Sequence, residues 1–135
     1  LQSNATQSRL KLEKNFSRNM QRLSNRKLKA DQRGQYAEEA INELSIISLM
    51  ARVECASYYM LGEKNAGLYA LGQYQSFIEN NKLNHRETLV RINEYTRSDA
   101  SLLVDEVLAI NKDLKQLALS SKESQKRLIE VTENE

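Results

Sequence analysis

The sequence predicts an all-α fold, an up-and-down bundle with long first and last helices, about four to five helices in all, in one domain over 1–135. Three observations carry this. The 135 residues include no proline and only four glycines, so little interrupts a helix. Ala, Leu, Glu, Lys, Gln and Arg dominate, and these are the strong helix formers. Apolar residues recur at three- and four-residue steps in successive segments.

The first helix is expected over about 3–33, with Leu12, Phe16, Met20 and Leu23 as a narrow apolar stripe and Gly34 as its stop. The second, over about 36–61, is the most apolar. Ala37, Ala40, Ile41, Leu44, Ile47, Ala51, Cys55 and Tyr58 line one face, and Ile46, Leu49, Met50 and Val53 widen it. A helix apolar over so wide an arc is expected at the centre, touching several neighbours, with Gly62 ending it.

A third helix over about 64–80 is rich in small residues (Ala66, Gly67, Ala70, Gly72). Glycine within a helix costs about 1 kcal/mol relative to alanine, so close helix approach is expected to offset it. Asn80 and Asn81 offer a stop. Asn84 followed by Glu87 resembles a capping box opening a helix over about 84–97, burying Leu89, Ile92 and Tyr95. The last helix, over about 99–133, starts near Asp99, Asp105 and Glu106, which suit a helix N-terminus. Its residues Leu103, Val107, Ile110, Leu114, Leu117, Ser121, Ser124, Leu128 and Val131 follow a four–three heptad spacing without a slip. That pattern makes Leu103, Val107, Ile110, Leu114, Leu117, Leu128 and Val131 a candidate interaction seam, with another protein or a second copy as partner.

Charge is unevenly placed. The net charge is +2, yet residues 1–35 hold nine basic residues against Glu13 and Asp31 alone. Arg18, Arg22, Arg26 and Lys29 recur at helical steps and form a candidate anion-binding ridge. Nucleic acid is a less favoured partner for it, because no known nucleic-acid-binding motif accompanies these residues. The favoured role for the basic end is to face water or the acidic remainder of the same fold.

Chemistry-bearing sets are sparse. One His and one Cys exclude the usual zinc and haem ligand sets, and no Glu-x-x-His pair suggests a di-iron bundle, so no metal or cofactor is expected. Cys55 lies on the apolar face of the second helix and His85 in a polar cap region, so neither a thiol–imidazole pair nor another catalytic set is expected. Glu54, Tyr58, Tyr59, Tyr69 and Tyr74 cluster in sequence and could line a small pocket. For Glu54 the favoured reading is pairing with a basic residue of the first helix. No run approaches the roughly 20 apolar residues of a membrane span.

The expected function is a non-enzymatic interaction or structural module that self-associates through the last helix. A ligand-sensing bundle of a bacterial envelope or receptor protein is the first alternative, and nucleic-acid binding the second. The start at Leu1 leads us to expect a processed chain and favours a periplasmic or extracytoplasmic setting over a cytoplasmic one.

Overall fold

The computed structural model describes residues 4–96 and 99–133, with side chains over 6–96, 99–117 and 119–120. Within them lie five helices and no strand: α1 (Asn4–Leu23), α2 (Ala30–Met60), α3 (Lys64–Asn80), α4 (Arg86–Tyr95) and α5 (Ser101–Glu133). The protein is an all-α bundle.

The first helix ends at Leu23, not near residue 33. Short polar side chains take over the backbone there. The Ser24 hydroxyl donates to the Gln21 carbonyl at 2.5 Å, and Asn25 Oδ1 accepts from the Lys27 amide at 3.0 Å. Lys29, extended at φ −71°, ψ 151°, then leads into α2. Gly34 is therefore not a stop; it lies buried in the opening turns of α2.

Gly62 does end α2. Its φ is +74°, the Gly62 amide donates to Tyr59 O at 3.1 Å and the Glu63 amide to Tyr58 O at 2.9 Å. These two bonds form a Schellman cap around a left-handed glycine. The end of α3 repeats the device without glycine. Lys82 has φ 57°, its amide donates to Glu79 O at 3.1 Å, and the Leu83 amide donates to Ile78 O at 2.8 Å. Leu83, 0% exposed, plugs the core just past the cap.

The capping box expected at the start of α4 does not form. His85 holds the cap position in an extended conformation, without a side-chain cap bond, and the helix spans only Arg86–Tyr95. The α4–α5 connection is tied by side chains instead. Asn93 Oδ1 accepts from the Ala100 amide at 2.8 Å, and Asp99 Oδ1 accepts from the Ser101 amide at 3.0 Å and from the Ser101 hydroxyl. These bonds hold the exposed Asp99 carboxyl below its ordinary pKa. From Ser101 the helix reaches Glu133, so the stretch beyond residue 120 continues it. At about 1.5 Å per residue it is roughly 50 Å long.

The central position of α2 is the organising fact: α1, α3, α4 and α5 all pack on it. Ala37, Ala40, Ile41, Leu44, Ile47, Ala51 and Cys55 fill its inner face, meeting Leu71, Tyr74 and Ile78 of α3, Leu89 and Ile92 of α4, and Val104, Val107, Ile110 and Leu114 of α5. From α1 the buried apolar contribution is Phe16, whose ring meets Phe77 edge-on at 5.6 Å.

Candidate functional site

The stripe that α1 buries is mostly polar. Thr6, Arg9, Glu13, Phe16 and Asn19 are all buried, at helical spacing, while Leu12, Met20 and Leu23 are only partly covered. Arg9 is 0% exposed. Its Nε donates to Glu54 Oε2 at 3.0 Å, its Nη1 to Glu13 Oε1 at 3.2 Å, and its Nη2 at a longer 3.5 Å to Gln73 Oε1. Thr6 Oγ1 donates to the second Glu54 oxygen at 2.8 Å. Two carboxylates thus share one buried guanidinium, and the cluster joins α1, α2 and α3. Burial drives the Glu13 carboxyl above its ordinary pKa; Arg9 pulls it down and Glu54 adds to the rise. The next contact along α1 is also polar: Asn19 Nδ2 donates to Glu43 Oε1 at 2.6 Å, and burial raises the Glu43 pKa despite that bond.

A second buried chain crosses the core. The hydroxyls of Ser48 and Tyr74 lie 2.9 Å apart, and the Tyr74 hydroxyl also donates to Asn111 Oδ1. Burial pushes the Tyr74 hydroxyl up to about 12. The Asn111 amide nitrogen is buried without a hydrogen-bond partner among the described residues. Beside it, α3 and α5 enclose a cavity of about 460 Å³ walled in part by Ile78, Leu114, Lys112 and Lys115.

The five residues expected to line a small pocket are engaged in different contacts. Glu54 turns to α1, with Arg9 as its basic partner. Tyr74 is 1% exposed and bonded across the core, whereas Tyr69 is 68% exposed. Tyr58 and Tyr59 are half-buried at the α2–α3 corner, where a Cβ on Gly67 would lie 3.1 Å from Tyr59 Cε2 and 3.4 Å from Tyr58 Cβ. Gly67 is thus a close approach between helices. Gly72 is not, since nothing lies within 4 Å of its Cβ position.

The basic ridge is broken by the early end of α1. Arg18 and Arg22 remain on the helix, the Arg22 guanidinium 5.0 Å from the Tyr36 ring centre, while Arg26 and Lys29 fall in the connection. Arg26 instead joins Arg33 and Arg91 around a separate cavity of about 500 Å³. Much of the seam on α5 is this chain's own core. Val107, Ile110 and Leu114 are at most 2% exposed, and Leu103 and Leu117 pack against them. Leu128 and Val131, with Ser121 and Ser124, lie outside the described side chains. Cys55 is 1% exposed, and burial first, then Glu54, raises its thiol to about 11. A thiol so placed stays protonated near neutrality and is a poor nucleophile.

One surface was not singled out by pattern reading. The outer face of α2, opposite its packed face, carries Ile46, Met50, Val53, Ser57 and Met60 at four–three–four–three spacing. Ile46 is 46% exposed, Val53 64% and Met60 87%, and Met50 is half-covered. The signal lay in the same apolar excess that made α2 look central; periodicity does not say which of two faces a partner covers.

Among the described residues no group of three or more His, Cys, Asp or Glu side chains is placed to hold a metal ion, and no helix is long and apolar enough to cross a membrane. Comparison with protein-family models, with curated proteins and with solved structures finds no match.

Proposed function

We propose that this protein is a non-enzymatic interaction module that pairs with a second copy of itself through the outer face of α2. One observation supports this most: a helix already packed on its inner side presents an uncharged heptad stripe, Ile46–Met50–Val53–Ser57–Met60, to solvent. Scattered exposed apolar residues are ordinary, but a stripe at coiled-coil spacing matches the surface of a second helix.

The spacing also suits a two-fold partner. Ile46 and Met60 stand seven residues on either side of Val53. In an antiparallel pairing of two copies, Val53 would meet its own equivalent and Ile46 would meet Met60, the self-complementarity a two-fold interface requires. The buried chemistry agrees with a non-catalytic role: Glu13 and Glu54 are engaged by Arg9 and Glu43 by Asn19, and the one thiol is buried with its pKa raised.

A Val53→Cys variant tests the geometry. Under mild oxidation it is expected to give a disulfide-linked dimer, while Arg18→Cys, on the exposed side of α1, gives little. Equal cross-linking of the two, or none by either, would contradict the pairing.

A further inference from the structure

Between the end of α1, the 24–29 connection, the start of α2 and α4 lies the cavity of about 500 Å³. Its size falls within the usual range for small-molecule sites, roughly 300–1,000 Å³. Three of its walls are arginines from three different segments: Arg26 from the connection, Arg33 from α2 and Arg91 from α4. Among the described residues no carboxylate lines it, and Glu87 and Glu94 of α4 stand outside its walls. The ion pairs among the described residues are Arg9 with Glu13, Arg9 with Glu54, and Arg86 with Asp105, so none engages these three arginines.

Three arginine side chains lining one space concentrate positive charge there, which favours an entering anion. Arg33 is already held in place. Its guanidinium carbon is 5.3 Å from the centre of the Tyr95 ring, and Nη2 donates to Asn25 O at 3.4 Å. Its Nε is buried with no hydrogen-bond partner among the described residues. An ordered, incompletely satisfied guanidinium loses little freedom on gaining an oxyanion acceptor. The rest of the wall is mixed: Met20, Leu23, Ile92 and Tyr95 give apolar and aromatic surface, and Ser24 and Thr88 add hydroxyls.

We propose that this cavity binds a small organic phosphate monoester, its dianionic head held by Arg26, Arg33 and Arg91 and its apolar body lying against Met20, Ile92 and Tyr95. Three cations match a phosphate dianion better than a singly charged carboxylate, and the apolar wall favours an ester over inorganic phosphate. The site is apart from the outer face of α2, so this inference stands or falls separately from self-association.

Isothermal titration calorimetry at low ionic strength, with phenyl phosphate as the probe, tests it. One phenyl phosphate per chain is expected, bound at least about tenfold more tightly than inorganic phosphate or benzoate, with no binding of phenol. Arg26→Gln and Arg91→Gln remove exposed side chains and should leave the thermal midpoint unchanged, yet each should weaken phenyl phosphate by about tenfold or more, while Arg18→Gln leaves it unchanged. Absence of phenyl phosphate binding, equal or tighter binding of inorganic phosphate or benzoate, or equal weakening by Arg18→Gln overturns the proposal. So does binding of a single-stranded oligonucleotide without binding of phenyl phosphate, which would make the arginines a nucleic-acid contact.

Discussion

Arg9 and Glu54, 45 positions apart in the chain, meet at 3.0 Å with their side chains 0% and 7% exposed. This contact, with Glu13 as the second carboxylate, is how a helix with one fully buried aromatic is docked on the centre of the bundle. A buried ion pair is weak evidence of net stability, because desolvation offsets much of the attraction. Breaking one side of it is costly, because the remaining charge stays buried.

Arg9→Met is therefore expected to lower stability by about 3–5 kcal/mol, through two stranded carboxylates. Glu54→Gln keeps one acceptor oxygen, for Arg9, and turns the other position into an amide that can donate to the Thr6 hydroxyl, so it should cost about 1–2 kcal/mol. Adding Glu13→Gln and Glu54→Gln to Arg9→Met should recover more than half of the loss. Urea unfolding followed by circular dichroism measures all three; a triple variant no better than Arg9→Met would show that the cost is packing and not charge.

The pH dependence follows from the raised pKa of Glu13. Between the ordinary carboxylate value and the raised native one, the folded state binds more protons than the unfolded state, so Glu13 makes stability fall as pH rises through that window. Glu43, raised by its own burial, acts in the same direction, whereas Asp99, with a lowered pKa, acts oppositely below its ordinary value. Glu13→Gln should flatten the decline just above the ordinary carboxylate range, read as the difference from wild type in urea midpoints. A decline of unchanged steepness would remove Glu13 as its source.

The helix ends separate backbone strain from packing. Gly62→Ala places a Cβ in open space at φ +74°, and its expected cost of about 1 kcal/mol is conformational alone. Lys82→Gly, at φ 57°, should instead stabilise by about 0.5–1 kcal/mol. Gly72→Ala should stabilise by up to about 1 kcal/mol by helix propensity, and Gly67→Ala by less, because its Cβ meets the Tyr59 ring. Thermal midpoints order the four variants; Lys82→Gly ranking below wild type would contradict the reading of the α3 cap.

Tyr74→Phe removes the hydroxyl that links Ser48 to Asn111. Ser48 is 0% exposed, so its own hydroxyl is left without this partner, at an expected cost of about 1–3 kcal/mol. Adding Ser48→Ala should restore part of it. Additive losses in the double variant would show that the two hydroxyls do not depend on each other.

The sequence was most informative where apolar spacing and a glycine agreed. The stop at Gly62 and the inner face of α2 emerged from those two signals, and the end of α3 near residue 80 from Asn80 and Asn81. It misled at Gly34, because a glycine can also sit where a helix is buried closely, and the real break came from the hydrogen bonds of Ser24 and Asn25. Arg9 was one of nine basic residues in its segment, and apolar periodicity does not register a stripe built from Thr6, Arg9, Glu13 and Asn19. The heptad of α5 was real as a pattern, yet its described half is filled by the chain's own helices. The three-arginine cavity draws on segments from Arg26 to Arg91, a convergence made by the fold.

Sedimentation velocity over a wide concentration range tests self-association through α2 most directly. Val53 and Met60 are 64% and 87% exposed, so Val53→Asp with Met60→Asp should leave the fold and its circular dichroism intact. The wild type is expected to shift from monomer to dimer as concentration rises, and the double variant to stay monomeric. A wild type that remains monomeric at the highest concentration, or a folded variant that dimerises equally well, would contradict the account.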